Sequence, residues 1–250
     1  MTTTTLIALV AASLFAGTAD AIAGGGGLIT VPALLAAGLP PHLALGTNKA
    51  QSIWGTLAAL TTYWRAGRVD RRAALRNAPL GFLGSLLGAA LVLRMAPTAL
   101  RPVAIALLIG AAILMVLRKP SRDTEDKHRH YLWIGGALAF VIGGYDGFFG
   151  PGTGTFLVVG FMVLCGRAMG GATADAKVVN FSSNLAAVLT FALGGKVLWQ
   201  VAAPMAAAQL VGGSLGARLA IHGGARLIRV VVLAVSTALV VKLAYDLLHG

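Results

Sequence analysis

The chain has 250 residues, of which 57% are hydrophobic and only 11% are charged, and its mean hydropathy is +0.82. Soluble domains carry roughly 25% charged residues, so the composition excludes a soluble globular protein and indicates an integral membrane protein. The net charge of +12 does not indicate a nucleic-acid partner. Its basic residues are concentrated at positions 65–76, 118–129 and 218–229, between apolar runs, as in cytoplasmic loops under the positive-inside rule.

Nine apolar stretches approach or reach the length of about 20 residues that a membrane-spanning helix needs. None alternates apolar and polar residues as barrel strands do, so the sequence predicts an all-α, polytopic membrane protein. The first stretch is predicted to be a retained helix rather than a signal peptide, because no positive charge precedes its apolar core. The stretches cover residues 6–23, 42–64, 75–93, 102–117, 131–142, 155–165, 173–193, 201–219 and 230–248.

The two halves of the chain repeat each other. A shift of 128 positions superposes Lys49 on Lys177, and a shift of 126 superposes Asp20 on Asp146. The sequence therefore predicts two fused repeats of four or five transmembrane helices each. A duplicated apolar fold with a cation at matching depth in each half is typical of membrane transporters. The predicted segments are repeat 1 at residues 1–117, a cytoplasmic linker at residues 118–130, and repeat 2 at residues 131–250.

The charges of equivalent loops favour an inverted over a parallel arrangement of the two repeats. Residues 65–76 are strongly basic, whereas the equivalent loop near residues 194–204 carries only Lys196. Because positive charge marks cytoplasmic loops, these two loops are predicted to lie on opposite sides of the membrane.

Each half also contains a glycine-rich segment that is predicted to interrupt a helix. These segments are residues 23–27, followed by a short apolar piece at residues 28–37, and residues 143–154. Glycine and proline at this density disfavour a continuous helix. Unsatisfied backbone at membrane depth is tolerated only where protein or water covers it. We therefore expect discontinuous helices that meet in the protein interior near the membrane midplane.

Pairs of glycines at a four-residue spacing suit close helix packing. They occur at Gly84 and Gly88 in the first half and at Gly212 and Gly216 in the second. Their presence in both halves favours packing within one subunit, and the spacing is also compatible with a homodimer.

Lys49 and Lys177 form the centre of the predicted functional site. A lysine at the bilayer midplane costs about 2.5–3.5 kcal/mol on insertion scales, and the chain carries one in each half. Snorkelling from a helix end and pairing with an acid such as Asp20 or Asp175 are the structural alternatives. The functional interpretation is a small, positively charged cavity that binds an anion. Asp20 and Asp146 are candidates for a coupling proton, and equally for helix caps or partners of the lysines.

Polar residues and glycines around the lysines complete the predicted substrate-binding set. Lys177, Asn180 and Asn184 share one face of a helix, as do Lys49 and Ser52. Backbone N–H groups and positive helix ends at the glycine breaks favour anions. The remaining members of the set are Asn48, Gln51, Ser183, Gly25, Gly26, Gly152 and Thr153.

The sequence predicts no enzyme, no cofactor and no metal site. Its five histidines are dispersed or lie in loops, and neither a His-Glu-x-x-His motif nor a Gly-x-x-x-x-Gly-Lys-Ser/Thr nucleotide motif occurs. Proton motive force is therefore the default source of energy. A passive anion channel and a membrane accessory protein without transport activity remain as alternatives.

Four short motifs carry a resemblance to a known family. They are Asp20 with Gly24-Gly25-Gly26-Gly27, Gly46-Thr47-Asn48-Lys49, Gly150-Pro151-Gly152-Thr153-Gly154, and Ala176-Lys177 with Asn180, Ser183 and Asn184. As a set they resemble the sulfite exporter TauE/SafE family over nearly the whole chain. The resemblance implies a multi-pass permease of the cell inner membrane that exports sulfite, a sulfonate or a related organic anion. Asp175 and Ala176 stand where the first half has Thr47 and Asn48, so the two lysine neighbourhoods are not equal.

Overall fold

The computed structural model describes residues 1–96, 98–100, 102–107, 109 and 131–222. Within these residues the chain is mainly helical and contains no strand, which confirms the all-α prediction. The helices that build the bundle are α1 (Thr3–Ala23), α2 (Gly27–Ala36), α3 (Pro41–Arg65), α4 (Arg71–Leu93), α5 (Tyr131–Phe148), α6 (Thr153–Val163), α7 (Met169–Leu193) and α8 (Trp199–Ile221).

Most of the apolar stretches predicted from the sequence coincide with helices, and two differ. The stretch at residues 131–142 is longer than predicted, because α5 continues to Phe148. The stretch at residues 155–165 is α6, which has only 11 residues and at about 1.5 Å per residue spans roughly half a bilayer, like α2. By length and composition, α1, α4 and α7 are each long and apolar enough to cross a membrane. The stretch at 230–248, the linker at 118–130 and most of 102–117 lie outside the described residues.

Local signals explain several helix ends. α1 ends at Gly24, which adopts a left-handed conformation at φ 78° and donates its N–H to the carbonyl of Asp20. α3 begins with Pro41 at its first position, where the missing N–H costs nothing. Asp70 caps α4, since its carboxylate accepts the N–H groups of Arg72 and Ala73.

Equivalent helices of the two halves run in opposite directions. A Cβ on Gly46, near the start of α3, would lie 2.0 Å from the carbonyl oxygen of Lys196, just beyond the end of α7. At the other end, the N–H of Asp70, just beyond α3, donates to Asp175 near the start of α7 at 3.2 Å. The start of each helix therefore lies beside the end of its equivalent, as in an inverted repeat.

The paired glycines pack one half of the chain against the other. A Cβ on Gly88 of α4 would lie 2.0 Å from the carbonyl oxygen of Gly144 in α5. In the equivalent contact, a Cβ on Gly216 of α8 would lie 2.2 Å from the carbonyl oxygen of Thr18 in α1. These glycines thus permit close backbone approach inside a single chain, as predicted, and they interlock the two halves.

The second glycine-rich segment is interrupted less than predicted. The glycine content predicts a break over residues 143–154, but α5 remains helical through Gly143 and Gly147, and only positions 149–152 lie outside a helix. The physical reason is contact with α4: Cβ atoms on Gly143 and Gly147 would lie 2.5 Å and 2.0 Å from the carbonyl oxygens of Gly81 and Ser85. Tight packing, rather than chain reversal, requires these two glycines.

The two breaks meet in the interior, as predicted. Gly24 lies against Gly154, and the N–H of Thr155 donates to the carbonyl of Gly24 at 3.3 Å. The hydroxyl of Thr155 donates to the carbonyl of Ala23 at 2.6 Å. Backbone groups left unpaired by one interrupted helix are thereby satisfied by the other half, which is what the membrane interior requires.

Candidate functional site

A small polar cavity lies where the two helix breaks meet α3, α7 and α8. Its volume is ≈ 20 Å³, which is room for about one water molecule. The residues that line it come from both halves of the chain. They are Asp20, Gly24, Gly26, Gly27, Asn48, Lys49, Ser52, Thr56, Asp146, Gly150, Gly154, Asn180, Asn184 and Gln209.

Both predicted lysines are buried and paired, and each pairs with the aspartate of the other half. Lys49 Nζ lies 2.7 Å from Asp146 Oδ1, and Lys177 Nζ lies 2.7 Å from Asp20 Oδ2. Each lysine is only 1% exposed, so neither snorkels to the membrane surface. Pairing offsets the large cost of placing an ammonium group in an apolar interior.

This pairing corrects one expectation about the site. The cavity was predicted to be positively charged, but two ammonium groups and two carboxylates at 2.7 Å give these four residues a formal charge of zero. The sequence is compatible with coupling, capping or pairing for the two aspartates. In the structure they pair with the lysines.

The polar residues on α3 and α7 form two equivalent stripes that face the cavity. Asn48, Ser52 and Thr56 follow one another by one helical turn on α3, and Asn180 and Asn184 occupy the last two equivalent positions on α7. The two halves therefore present different side chains, an amide and two hydroxyls against two amides, at matching places.

Hydrogen bonds orient two of these amides. Asn48 Oδ1 accepts from Thr30 Oγ1 at 2.5 Å and from Gln51 Nε2 at 3.0 Å. Asn180 Oδ1 accepts from Asn184 Nδ2 at 2.7 Å. With their oxygens used in this way, Asn48 and Asn180 retain amide N–H groups for a molecule in the cavity.

The starts of both short helices also border the cavity. Gly27 opens α2, and Gly154 lies in the first turn of α6. The N–H groups at a helix start lack intrahelical acceptors and carry partial positive charge. One such helix end comes from each half.

Several predicted site residues lie behind the lining rather than in it. Gln51 supports Asn48 and Ser52 through hydrogen bonds, and Ser183 donates to Asp146 Oδ2. Thr153 donates its hydroxyl to the carbonyl of Gly150 at 2.6 Å. Gly25, Gly152 and Lys177 do not line the cavity either, although their neighbours do.

Gln209 of α8 and Thr56 of α3 line the cavity, although neither belongs to the substrate-binding set predicted from the sequence. Gln209 is 2% exposed. Its Oε1 would lie 2.6 Å from a Cβ atom on Gly17 and 2.4 Å from a Cβ atom on Gly55. The repeat itself contained a signal, because Gln209 is equivalent to Gly81 in the first half. A polar residue that replaces a glycine inside an apolar helix marks a difference between the halves.

The two ends of the bundle are closed by equivalent contacts of different chemistry. At one end, Asp175 accepts the N–H of Asp70 and pairs with Arg167, whose Nη2 lies 2.8 Å from Asp175 Oδ2. At the other end, Thr47 accepts the N–H of Leu198 at 3.0 Å. Because Asp175 stands where the first half has Thr47, an ion pair holds one end of the bundle and a neutral hydrogen bond holds the other.

No cluster of ligands for a metal ion occurs in the part of the chain that the structure describes, where no three His, Cys, Asp or Glu side chains come together. His42 is buried, with Nε2 3.0 Å from the carbonyl oxygen of Val92. His222 follows α8, and its Nδ1 lies 2.7 Å from the carbonyl oxygen of Arg218. The remaining three, His128, His130 and His249, lie outside the described residues.

The geometry, an inverted repeat with polar groups from both halves around interrupted helices, is that of a transporter, and sequence comparison agrees. The sequence profile of the family described as sulfite exporter TauE/SafE matches residues 9–243. The chain belongs to this family. No solved structure matches the chain.

Relatives in the family are named as transporters. The chain is 40% identical over 243 residues to the probable membrane transporter protein ORF9 of Sinorhizobium, covering 96% of this chain and 93% of that protein. It is 40% identical to the probable membrane transporter protein YfcA of Escherichia coli K12 (95% and 88% covered). A probable membrane transporter protein of Haemophilus influenzae is 42% identical (91% and 89% covered). This member of the TauE/SafE family is therefore a membrane transporter.

Proposed function

We propose that the protein is a multi-pass permease of the cell inner membrane that exports a small anion by alternating access. The substrate class is sulfite, a sulfonate or a related organic anion. The observation that carries the proposal is the convergence of donors on one small cavity: the ammonium group of Lys49, the amides of Asn48 and Asn180, and two helix N-termini. Such groups recognise the oxygens of an anion.

Because the two ion pairs carry no net formal charge, an anion would bind to donors that the pairs do not already use. Lys49 has three N–H donors, and a single hydrogen bond, to Asp146, engages its ammonium group among the described residues. An anion can therefore bind Lys49 beside the existing pair. Access to Lys177 requires that Asp20 release it.

The small volume of the cavity supports alternating access. Room for about one water molecule is too little for sulfite or a sulfonate, so the site must widen when it binds. The end contacts at Asp175 and Thr47 are suited to separate in turn, because they join the start of one helix to the loop that follows its inverted equivalent.

The charge distribution supports an inner-membrane orientation with the Asp175 end in the cytoplasm. Seven arginines of the described residues cluster at this end of the helices, and Arg94 and Lys196 lie at the other. The positive-inside rule assigns the richer end to the cytoplasm. The seven are Arg65, Arg68, Arg71, Arg72, Arg76, Arg167 and Arg218.

Counterflow in proteoliposomes tests the proposal. Vesicles preloaded with unlabelled sulfite or methanesulfonate should take up the labelled anion faster than empty vesicles, and Lys49→Ala should abolish the effect. Lys196→Ala, at an exposed lysine, is the matched control and should leave it unchanged. Transport without stimulation by the internal anion would indicate a passive channel, and no transport of either anion would favour an accessory protein.

A further inference from the structure

The two crossed ion pairs are related by the inverted repeat, but they are not equally enclosed. The side chain of Asp146 is 3% exposed, whereas that of Asp20 is 18% exposed. Both carboxylate oxygens of Asp146 are held, Oδ1 by Lys49 and Oδ2 by the hydroxyl of Ser183. The position equivalent to Ser183 in the first half is Gly55, so Asp20 lacks this hydroxyl donor.

Asp20 is held more loosely as a result. Its Oδ2 accepts from Lys177, and among the described residues its Oδ1 accepts one N–H, that of Gly26 at 3.4 Å, in a long hydrogen bond. Asp20 lines the cavity, whereas Lys177, whose ammonium group contacts the Asp20 carboxylate at 2.7 Å, does not. Movement of this one side chain would uncover a buried positive charge.

Lys177 also keeps a second hydrogen-bond acceptor when the Asp20 carboxylate leaves it. Its Nζ donates to the backbone carbonyl of Asp20 at 2.5 Å, at the C-terminal end of α1, where the helix dipole favours a cation. Lys49 has no equivalent backbone acceptor among the described hydrogen bonds and depends on Asp146. The two lysines therefore differ in what the loss of their aspartate would cost.

We propose that Asp20 is the carboxyl group that exchanges a proton during transport, and that its protonation frees Lys177 to bind the anion. Asp146 then keeps Lys49 paired throughout the cycle. This inference rests on the proposed function and deepens it, because it assigns the coupling ion and one of two candidate carboxylates.

The charges of the step balance. Before binding, Lys177 and Asp20 sum to zero. A proton adds to Asp20 Oδ2, the hydrogen bond from Lys177 Nζ to that oxygen breaks, and an oxygen of the anion accepts from the same Nζ. The loaded site again sums to zero, so one proton accompanies each singly charged anion and both cross in the same direction. Export of the anion therefore carries a proton outward with it, and it is driven by the outward concentration gradient of the anion, because the inward proton gradient opposes it. On release, the anion leaves, the proton dissociates and the pair forms again.

Few other titratable groups face Asp20. Lys177 approaches from α7, and Lys49 of α3 and Asp146 of α5 lie across the same cavity. Tyr63 of α3 donates its hydroxyl to the carbonyl of Ala21, next to Asp20. The flanking groups from α2, α6 and α8 are Gly26, Gly154 and Gln209, which do not titrate.

Accumulation driven by a pH gradient tests the inference. Proteoliposomes with the membrane potential held at zero by potassium and valinomycin are given labelled methanesulfonate, whose own charge does not change with pH in the range used. Joint movement of one proton and one anion predicts about tenfold accumulation on the alkaline side for each pH unit. Wild type should reach this ratio. Asp20→Asn should still exchange the anion but accumulate it less than about twofold.

The inverted repeat supplies the matched control. Asp146→Asn should keep the wild-type ratio of gradient-driven accumulation to anion exchange. Asp70→Asn, which retains a capping side chain at the start of α4 outside the cavity, should accumulate the anion as wild type does. Accumulation by Asp20→Asn equal to wild type would overturn the inference, and so would an active wild type that ignores the gradient. Equal loss in Asp146→Asn or in Asp70→Asn would contradict the assignment to one pair. A wild type that exchanges neither sulfite nor methanesulfonate would instead refute the proposed function itself.

Discussion

The ammonium group of Lys49 lies 2.7 Å from the carboxylate of Asp146, which belongs to the other repeat, 97 residues further along the chain. The equivalent pair, Lys177 with Asp20, crosses in the opposite sense. Each half of the protein therefore supplies the counter-charge that the other half needs. Both ion pairs therefore join the two inverted halves at the cavity, and in the proposed cycle only the pair between Lys177 and Asp20 opens.

The Lys49–Asp146 pair is expected to contribute strongly to stability. Lys49→Met should lower the free energy of unfolding by about 3–5 kcal/mol, because it leaves the Asp146 carboxylate buried without a counter-charge. Lys49→Met combined with Asp146→Asn should recover much of this loss while transport stays abolished. Unfolding in mixed micelles measures the free energy of unfolding, and counterflow measures transport. A double variant no more stable than the single one would contradict an ion-pair role, and Lys196→Met is the surface control.

Gly88 and Gly216 are expected to tolerate no side chain. Their Cβ atoms would lie 2.0 Å and 2.2 Å from backbone oxygens of the facing helix, so alanine must push α4 from α5 or α8 from α1. Overpacking of this kind costs roughly 1–3 kcal/mol or more. Thermal unfolding in detergent of Gly88→Ala and Gly216→Ala measures the loss.

Gly170 provides the control for the glycine contacts. It lies in α7, and a Cβ there would meet only Arg68 Nη1 at 3.9 Å. Gly170→Ala should therefore be neutral or stabilising by up to about 1 kcal/mol, because alanine loses less backbone entropy in a helix. Equal destabilisation at Gly88 and Gly170 would show that helix packing is not what selects these glycines.

Gln209 is expected to contribute to substrate affinity more than to stability. It is buried and lines the cavity, while no hydrogen bond of the described residues uses its amide. Gln209→Leu keeps the volume and should raise the substrate KM by roughly 5- to 10-fold, the value of about one hydrogen bond. Transport kinetics across substrate concentration measure this effect. Gln200→Leu, at an exposed position of the same helix, should leave KM unchanged, and an unchanged KM in Gln209→Leu would exclude substrate contact.

Cys165, the single cysteine, reports on the ionic end of the bundle. Burial raises the pKa of its thiol to about 11, although the nearby Arg167 and Arg76 guanidinium groups act in the opposite direction. Because the thiolate is the reactive form, alkylation by iodoacetamide should accelerate about tenfold per pH unit from about pH 7 to 10 without levelling off. A plateau near pH 9 would contradict the buried environment.

The contact between Asp175 and Arg167 is expected to control access to Cys165. Asp175→Asn removes the charge that binds the guanidinium group at 2.8 Å, so this end should open more often and alkylation should accelerate severalfold. Thr47→Val alters the equivalent contact at the other end and should not change the rate. Equal acceleration in both variants would indicate general loosening of the fold.

The fold class and the repeat were predictable because they depend on composition and periodicity. Long apolar runs can only be helices in a membrane, and the matching lysines, aspartates and glycine pairs revealed the duplication. The glycine segment at residues 143–154 was harder to interpret, since glycine both interrupts helices and permits close packing. The distinction depends on whether another helix lies alongside, and local sequence does not contain that information.

The sequence alone determined that this is a helical membrane protein built from two related halves, each of which carries a matched lysine and a matched aspartate. Only the tertiary structure decided that the charges pair across the halves, that the two pairs carry no net formal charge, and that Gln209 reaches the cavity. The physical reason is distance along the chain. Apolar periodicity is a property of each helix by itself, whereas Lys49 and Asp146 come together only through the packing of helices that are far apart in the sequence.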